Sequence, residues 1–113
     1  MSKRSVTRGS GNIFADLGLP NADEHMLKAR VVMFITALIE ELELTQQGAA
    51  KRMGIRQPDV SKLLRGRFAG FSLERLLGFV RALGSDIEIK LKRPTDDGRR
   101  KHHEGRMSLG VAP

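Results

Sequence analysis

The sequence contains no cysteine, tryptophan or tyrosine, and five phenylalanines are its only large aromatic residues. Without cysteine there are no disulfides or thiolate metal ligands, so the core of this 113-residue chain must depend on aliphatic packing. No stretch approaches the roughly 20 apolar residues that cross a bilayer, and residues 1–12 lack the apolar run of a signal peptide. We therefore expect one globular unit with short tails in the cytoplasm, and not a multi-domain enzyme.

Residue sets that could catalyse a reaction or bind a metal are also scarce. The three histidines have no neighbouring pattern of nucleophile and orienting carboxylate; they are His25, His102 and His103. A metal at the paired histidines would find only Glu104 as a further ligand. The acidic cluster Glu40, Glu41 and Glu43 is more typical of solvated surface than of a cation site. We predict no enzymatic activity, no metal and no cofactor.

The net charge of +7 is unevenly distributed along the chain. Residues 1–11 carry +3 and residues 90–113 carry +4, so the two ends hold the whole excess. Between them, residues 12–50 carry −4 and residues 51–81 carry +6. This separation predicts one face for a polyanion and another for a different partner.

Apolar residues at spacings of three and four predict four helices. The first spans residues 23–42, with Asn21 or Asp23 as its cap, and its stripe is Leu27, Val31, Phe34, Ile35, Leu38 and Leu42. Further apolar residues lie beside this stripe, namely Met26, Val32, Met33 and Ile39. The helix therefore needs a second cover, either from Ile13, Phe14 and Leu17 or from a second chain.

The other three helices are shorter and have clear end signals. The second runs from Thr45 to about Met53 and ends at Gly54, which suits a left-handed residue. The third spans residues 57–65, with Pro58 in its first turn and Arg56 as its N-cap. The fourth follows the N-cap Ser72 and continues until residue 84.

Residues 86–92 change to a period of two, which predicts a strand. Its apolar residues alternate with charged ones and are Ile87, Ile89 and Leu91. Because one strand cannot satisfy its own backbone, it must pair either with residues 12–15 or with a second copy of the chain.

Residues 45–66 read TQQGAAKRMGIRQPDVSKLLRG. Ala50 is small where two helices cross, Gly54 permits the turn, and Ile55, Val60 and Leu63 face a core. This segment resembles the helix-turn-helix of the phage-repressor-like (XRE) family of bacterial regulators. The flanks NIFADLG (residues 12–18) and RFAGFSLERL (residues 67–76) resemble helix-turn-helix antitoxins of the host-inhibition-of-growth type, and the likeness covers residues 12–92.

The resemblance implies a mainly α, compact, lambda-repressor-like domain of four to five helices, closed by a C-terminal β-strand. This domain would occupy residues 12–93, with the helix-turn-helix at 45–66 and the strand at 86–92. Residues 1–11 and 94–113 would be flexible basic arms, since their composition cannot bury apolar surface.

The same resemblance, together with exposure on the third helix, assigns a role to particular side chains. Those expected to read bases are Arg56, Gln57, Ser61 and Lys62. Those expected to contact phosphates are Thr45, Gln46, Lys51, Arg65 and Arg67. Asp59 is unfavourable beside phosphates unless it pairs with Arg56 or accepts from a cytosine. Phe68 and Phe71 are expected in the core.

The implied partner is double-stranded DNA with a palindromic operator, bound by a homodimer in the nucleoid, with no membrane contact. We expect the dimer contact to use the wide apolar face of the first helix, the strand with Ile87, Ile89 and Leu91, or both. An antitoxin would also bind a RelE-like, mRNA-cleaving toxin, and we expect Glu40, Glu41 and Glu43 to face that basic partner. Two alternatives are a stand-alone repressor without a toxin and a helix-turn-helix that serves only as a protein-interaction scaffold.

Overall fold

The computed structural model describes residues 18–94 and 104–112, and in them the chain forms four α-helices. They are α1 (Asn21–Glu41), α2 (Gln46–Met53), α3 (Gln57–Leu64) and α4 (Leu73–Ala82). All four predicted helices are confirmed, with ends shifted by at most two residues. The arm at residues 1–11, the apolar residues 12–17 and the basic run 99–103 lie outside the described residues.

The helix α1 begins without the side-chain cap that its sequence predicted. Pro20 occupies the N-cap position, and the N–H of Glu24 donates to the Pro20 carbonyl at 3.0 Å. Asn21 is already inside the helix, where its side chain cannot cap. Asp23 and Glu24 in the first turn complement the helix dipole instead.

The buried face of α1 is rotated from the predicted stripe. Val32 and Ile39, placed beside the stripe by sequence, are buried, whereas Leu38 of the stripe is only half-buried. Leu42 is the C-cap, beyond the last helical residue, and is 40% exposed. The reason is that α1 packs mainly against α4, which approaches from one side of the wide apolar sector. Met26 and Met33, on the opposite side, remain exposed.

The core lies where α1 and α4 cover the paired helices α2 and α3. Its largest fully buried side chains are Val31, Ile35, Val60, Leu63 and Leu76. Phe68 and Phe71 are each only 7% exposed, which confirms their predicted place in the core. Among the described residues no polar or charged side chain is buried, so this core is held by apolar packing.

The predicted closing strand is the main correction. Residues 85–94 form neither helix nor strand, and no strand occurs in the described part of the chain. Ile87, Ile89 and Leu91 are 37%, 72% and 94% exposed. A strand forms only when a neighbouring strand satisfies its backbone groups, and no described segment lies alongside this one.

Residues 104–112 return to the first helix. Leu109 packs against the core, and Arg30 of α1 donates to the Leu109 carbonyl at 3.5 Å. Residues 104–107 lie beside residues 18–20 and Asp23 at the start of α1, around a groove of about 400 Å³. None of the helices described is both long enough and apolar enough to cross a membrane.

Candidate nucleic-acid interface

The N-terminus of α2 is built on a side-chain cap. The Oγ1 of Thr45 accepts from the backbone N–H of Gly48, the third residue of α2, at 3.0 Å. The first N–H groups of a helix have no acceptor within the helix and carry its positive dipole end. Thr45 is exposed and Gln46 half-buried at this end, so they stand where an anion is favoured.

A tight turn then sets the angle between α2 and α3. Gly54 adopts the left-handed conformation with φ 74°. The N–H groups of Gly54 and Ile55 both donate to the Ala50 carbonyl, at 2.8 and 3.1 Å, so the last turn of α2 is closed on itself. Ile55 is half-buried against the core, which anchors the entry to α3.

Helix α3 has one buried and one open face. Val60 and Leu63 are almost wholly buried, while Arg56, Gln57 and Lys62 are exposed. Arg56 is the N-cap, as predicted, and makes no side-chain cap bond within the described chain. A long cationic side chain therefore stands where a capping Ser or Thr would ordinarily satisfy an N–H.

Two predicted site residues from different helices touch each other. The Nε2 of Gln57 donates to the Oε1 of Gln46 at 3.2 Å, joining the start of α3 to the start of α2. Gln57 is expected to read a base and Gln46 to contact a phosphate, so one hydrogen bond couples the two functions. Sequence spacing alone could not predict this contact, because it depends on the angle between the helices.

Two further pairs order side chains along α3. Arg65 donates to the Ser61 Oγ at 2.7 Å, and Lys62 Nζ lies 4.0 Å from an oxygen of Asp59. Asp59 therefore pairs with Lys62 and not with Arg56, which leaves Arg56 outside any described ion pair. The Lys62–Asp59 pair is exposed, so it contributes little energy to stability.

The loop after α3 completes a basic surface. Gly66 has φ 81°, and the N–H of Arg67 donates to the Lys62 carbonyl at 2.9 Å. Lys62 and Arg67 line one part of a shallow groove of about 470 Å³, whose floor includes Phe68 and Phe71. The ring of His25 from α1 lies 5.0 Å from that of Phe68 and forms the far wall.

The remaining predicted residues lie elsewhere. Lys51 is exposed on α2. The exposed acidic cluster of Glu40, Glu41 and Glu43 is at the end of α1, and Glu43 has a left-handed backbone with φ 56°. Glu43 precedes Thr45 by only two residues, so the acidic cluster adjoins the α2 N-terminus and is not on a remote face. In the described residues, no three metal-ligating side chains come together.

Comparisons with known proteins agree with this geometry. A family model described as a helix-turn-helix domain matches residues 13–92. A solved structure whose name assigns it to the XRE family of transcriptional regulators is 36% identical, over 82% of this chain and 100% of that chain, with a TM-score of 0.71. No curated protein matches the chain. Since the family model spans most of the sequence and the solved structure aligns over its whole length, the chain belongs to the helix-turn-helix domain family as an XRE-type transcriptional regulator.

Proposed function

We propose that this regulator binds a DNA operator with the open face of α3 in the major groove. The observation that carries the proposal is the division of α3 into a buried apolar side and an exposed side with Arg56, Gln57 and Lys62. A helix of this kind fits the major groove, where base edges present distinct donors and acceptors.

Within this interface, Arg56 and Gln57 are the main base readers. Arginine matches the two acceptors of guanine, and glutamine matches the donor and acceptor of adenine. Ser61 and Lys62, one turn further along α3, read adjacent bases. The hydrogen bond that Gln57 donates to Gln46 orients the Gln57 amide before DNA arrives, which lowers the entropy cost of ordering this amide on binding.

Phosphates are contacted on both sides of α3. Thr45 and Gln46 present the α2 N-terminus to one strand, together with Lys51. Arg65 and Arg67 approach the other side from the end of α3. These contacts supply affinity and register but little base preference.

The assembly we propose is a homodimer on a palindromic site. The exposed side chains of Ile87, Ile89 and Leu91 form an apolar row without a described partner in the same chain. Pairing with residues 86–92 of a second copy would bury this row and satisfy the backbone. Two recognition helices would then lie about one DNA turn, ~34 Å, apart.

We further propose that the regulator is the antitoxin of a two-gene pair and binds a RelE-like toxin. Glu40, Glu41 and Glu43 form an exposed acidic cluster, which suits the basic, RNA-binding surface of such a toxin. Its position next to Thr45 predicts that toxin and DNA meet at the α2 N-terminus. A stand-alone repressor is the second candidate, because the α2–α3 interface functions equally well without a toxin.

The DNA function is tested by selecting bound sequences from a random duplex library and then titrating variants on the selected operator. Alanine at Arg56 or Gln57 should cost about 1–3 kcal/mol on the operator and relax base preference. Alanine at Arg67 should weaken binding to all sequences and reduce the salt dependence. Unchanged base preference in both reading variants contradicts the assignment.

The antitoxin role has a separate test. Co-expression with the neighbouring small open reading frame should recover a complex, and a Glu40, Glu41 and Glu43 to Lys variant should lose that partner. Equal recovery by both proteins would remove the acidic cluster from the toxin interface. The absence of any such neighbouring gene would favour the stand-alone repressor.

A further inference from the structure

Arg75, in the first turn of α4, is a cation that lies outside the interface described above. Its guanidinium carbon is 5.0 Å from the ring centroid of Phe71 and 5.5 Å from that of Phe79. The centroids of these two rings are 5.9 Å apart and the ring planes are nearly perpendicular. The guanidinium therefore contacts an aromatic ring on two sides, and we call this pair of rings the aromatic seat of Arg75. The backbone N–H of Arg75 donates to the Ser72 Oγ at 3.0 Å, and this cap fixes the backbone at the start of α4.

The seated side chain is exposed, and its charge is not neutralised by any ion pair within the described residues. Contact with aromatic faces is electrostatic and leaves the five N–H donors of the guanidinium for another acceptor. An arginine ordered in this way loses little side-chain freedom when it binds an anion. An exposed arginine without such ring contacts would lose more side-chain freedom on binding an anion.

The position of the seat links Arg75 to the cations at the end of α3. Phe71 forms part of the same groove as Lys62 and Arg67. Arg75 lies over this same ring, so Phe71 is shared between the groove and the Arg75 guanidinium. A DNA strand presents one phosphate per 3.4 Å or so of helix axis, so a strand that passes the α3 cations has further phosphates for a cation next to this groove.

We propose that Arg75 binds a backbone phosphate of the operator and that Phe71 and Phe79 hold its guanidinium in place for that contact. This inference rests on the proposed DNA function and adds a phosphate contact on α4. The contact is independent of base sequence, because phosphate oxygens carry no base information.

The test compares salt dependence among variants of the full chain, using fluorescence anisotropy with a labelled duplex of mixed sequence and a series of KCl concentrations. Arg75→Gln keeps a side chain over the rings but removes the charge. It should lower the slope of log Kobs against log salt by about 0.9 and weaken binding roughly tenfold at low salt. Arg75→Lys should retain the slope, because it retains the charge.

The matched control is Arg81→Ala, since Arg81 is an exposed arginine in the last turn of the same helix. This variant removes the same charge as Arg75→Gln, but Arg81 has no cation–π contact with the rings in the described part of the chain. It should leave the slope of log Kobs against log salt at the wild-type value. Equal slopes for Arg75→Gln and Arg81→Ala would overturn the proposal, and a lowered melting temperature with an unchanged slope would assign Arg75 a merely structural role. Arg67→Ala distinguishes failure of the Arg75 contact from failure of the proposed DNA function. If Arg67→Ala lowers the slope while Arg75→Gln does not, only the role of Arg75 fails. If the wild-type chain does not bind the duplex, the proposed function fails as well.

Discussion

At the residue scale, the hydrogen bond between Gln46 and Gln57 joins the start of α2 to a residue that we propose reads a base. An amide side chain can present its donor and acceptor in either order, and a partner selects one of them. If Gln57 reads a base as proposed, Gln46 selects which edge of the Gln57 amide faces that base. Specificity at the base would then depend on a residue that does not touch it.

This dependence predicts coupling between the two glutamines. Gln46→Ala should reduce discrimination at the base read by Gln57, and the double variant should lose less than the sum of the single variants. A double-mutant cycle from operator titrations should give a coupling energy of about 0.5–3 kcal/mol. Gln47→Ala, an exposed neighbour in the same turn, is the control and should show no coupling to Gln57. Additive losses for Gln46 and Gln57 would contradict the prediction.

Two glycines are predicted to respond oppositely to alanine. Gly54 is left-handed in the turn, whereas Gly78 is inside α4, and an added Cβ would meet no nearby described atom at either position. Gly54→Ala should lower the free energy of unfolding by about 1 kcal/mol or more through backbone strain. Gly78→Ala should raise it by about 0.5–1 kcal/mol through helix propensity. Urea denaturation of both variants measures these changes, and a shift of the same sign in both would refute the argument.

At the element scale, α1 relies on packing because its N-terminus has no described side-chain cap. Most of its apolar face is covered by α4. Leu109 adds a contact from residues 104–112, close to the point where Arg30 donates to the Leu109 carbonyl. We therefore expect residues 104–112 to stabilise α1.

The packing of Leu109 against the core predicts a measurable loss of stability when Leu109 is replaced by a polar residue. Leu109→Ser should lower the free energy of unfolding by about 1 kcal/mol, since a half-buried leucine contributes roughly half of its full burial energy. Val111→Ser is the matched control, because Val111 is 62% exposed and should change stability little. Chemical denaturation of the full chain measures both values. Equal midpoints for both variants would show that the segment does not stabilise α1.

At the scale of the whole molecule, the apolar side chains of Ile87, Ile89 and Leu91 are exposed and have no described partner. Their alternation with charged residues is typical of a sequence that becomes a strand with one buried face once a second strand pairs with it. A dimer formed there would also bring two α3 helices onto one operator. Assembly and DNA recognition would then depend on the same segment.

The dimer proposal predicts that Ile89→Asp gives a monomer. Burying a carboxylate in the paired strands costs more than the contact returns, so sedimentation should show half the wild-type mass. Affinity for the palindromic operator should fall more than affinity for a mixed-sequence duplex, because two linked half-sites gain from avidity. Ile89→Val, which keeps the apolar β-branched side chain, should remain dimeric. An unchanged mass for Ile89→Asp would exclude residues 86–92 from the interface.

The positions of the helices were determined by local sequence. Ser72 caps α4 and Gly54 is left-handed, both as predicted, and α2 begins directly after Thr45, which caps it. These features depend on neighbours within a few residues, whose periodicity and backbone preferences can be read along the chain. The division of α3 into an apolar and an open face follows from the same periodicity.

Only the tertiary structure decided which surfaces meet. It buried Val32 and Ile39 of α1 and left Leu38 only half-buried, because the buried face depends on where α4 packs. It paired Gln46 with Gln57 and brought Leu109 back to α1. It also left residues 86–92 without a described strand partner, which their alternating pattern could not reveal. A pattern specifies which residues favour burial or pairing, whereas the partner is set by contacts between segments far apart in the chain.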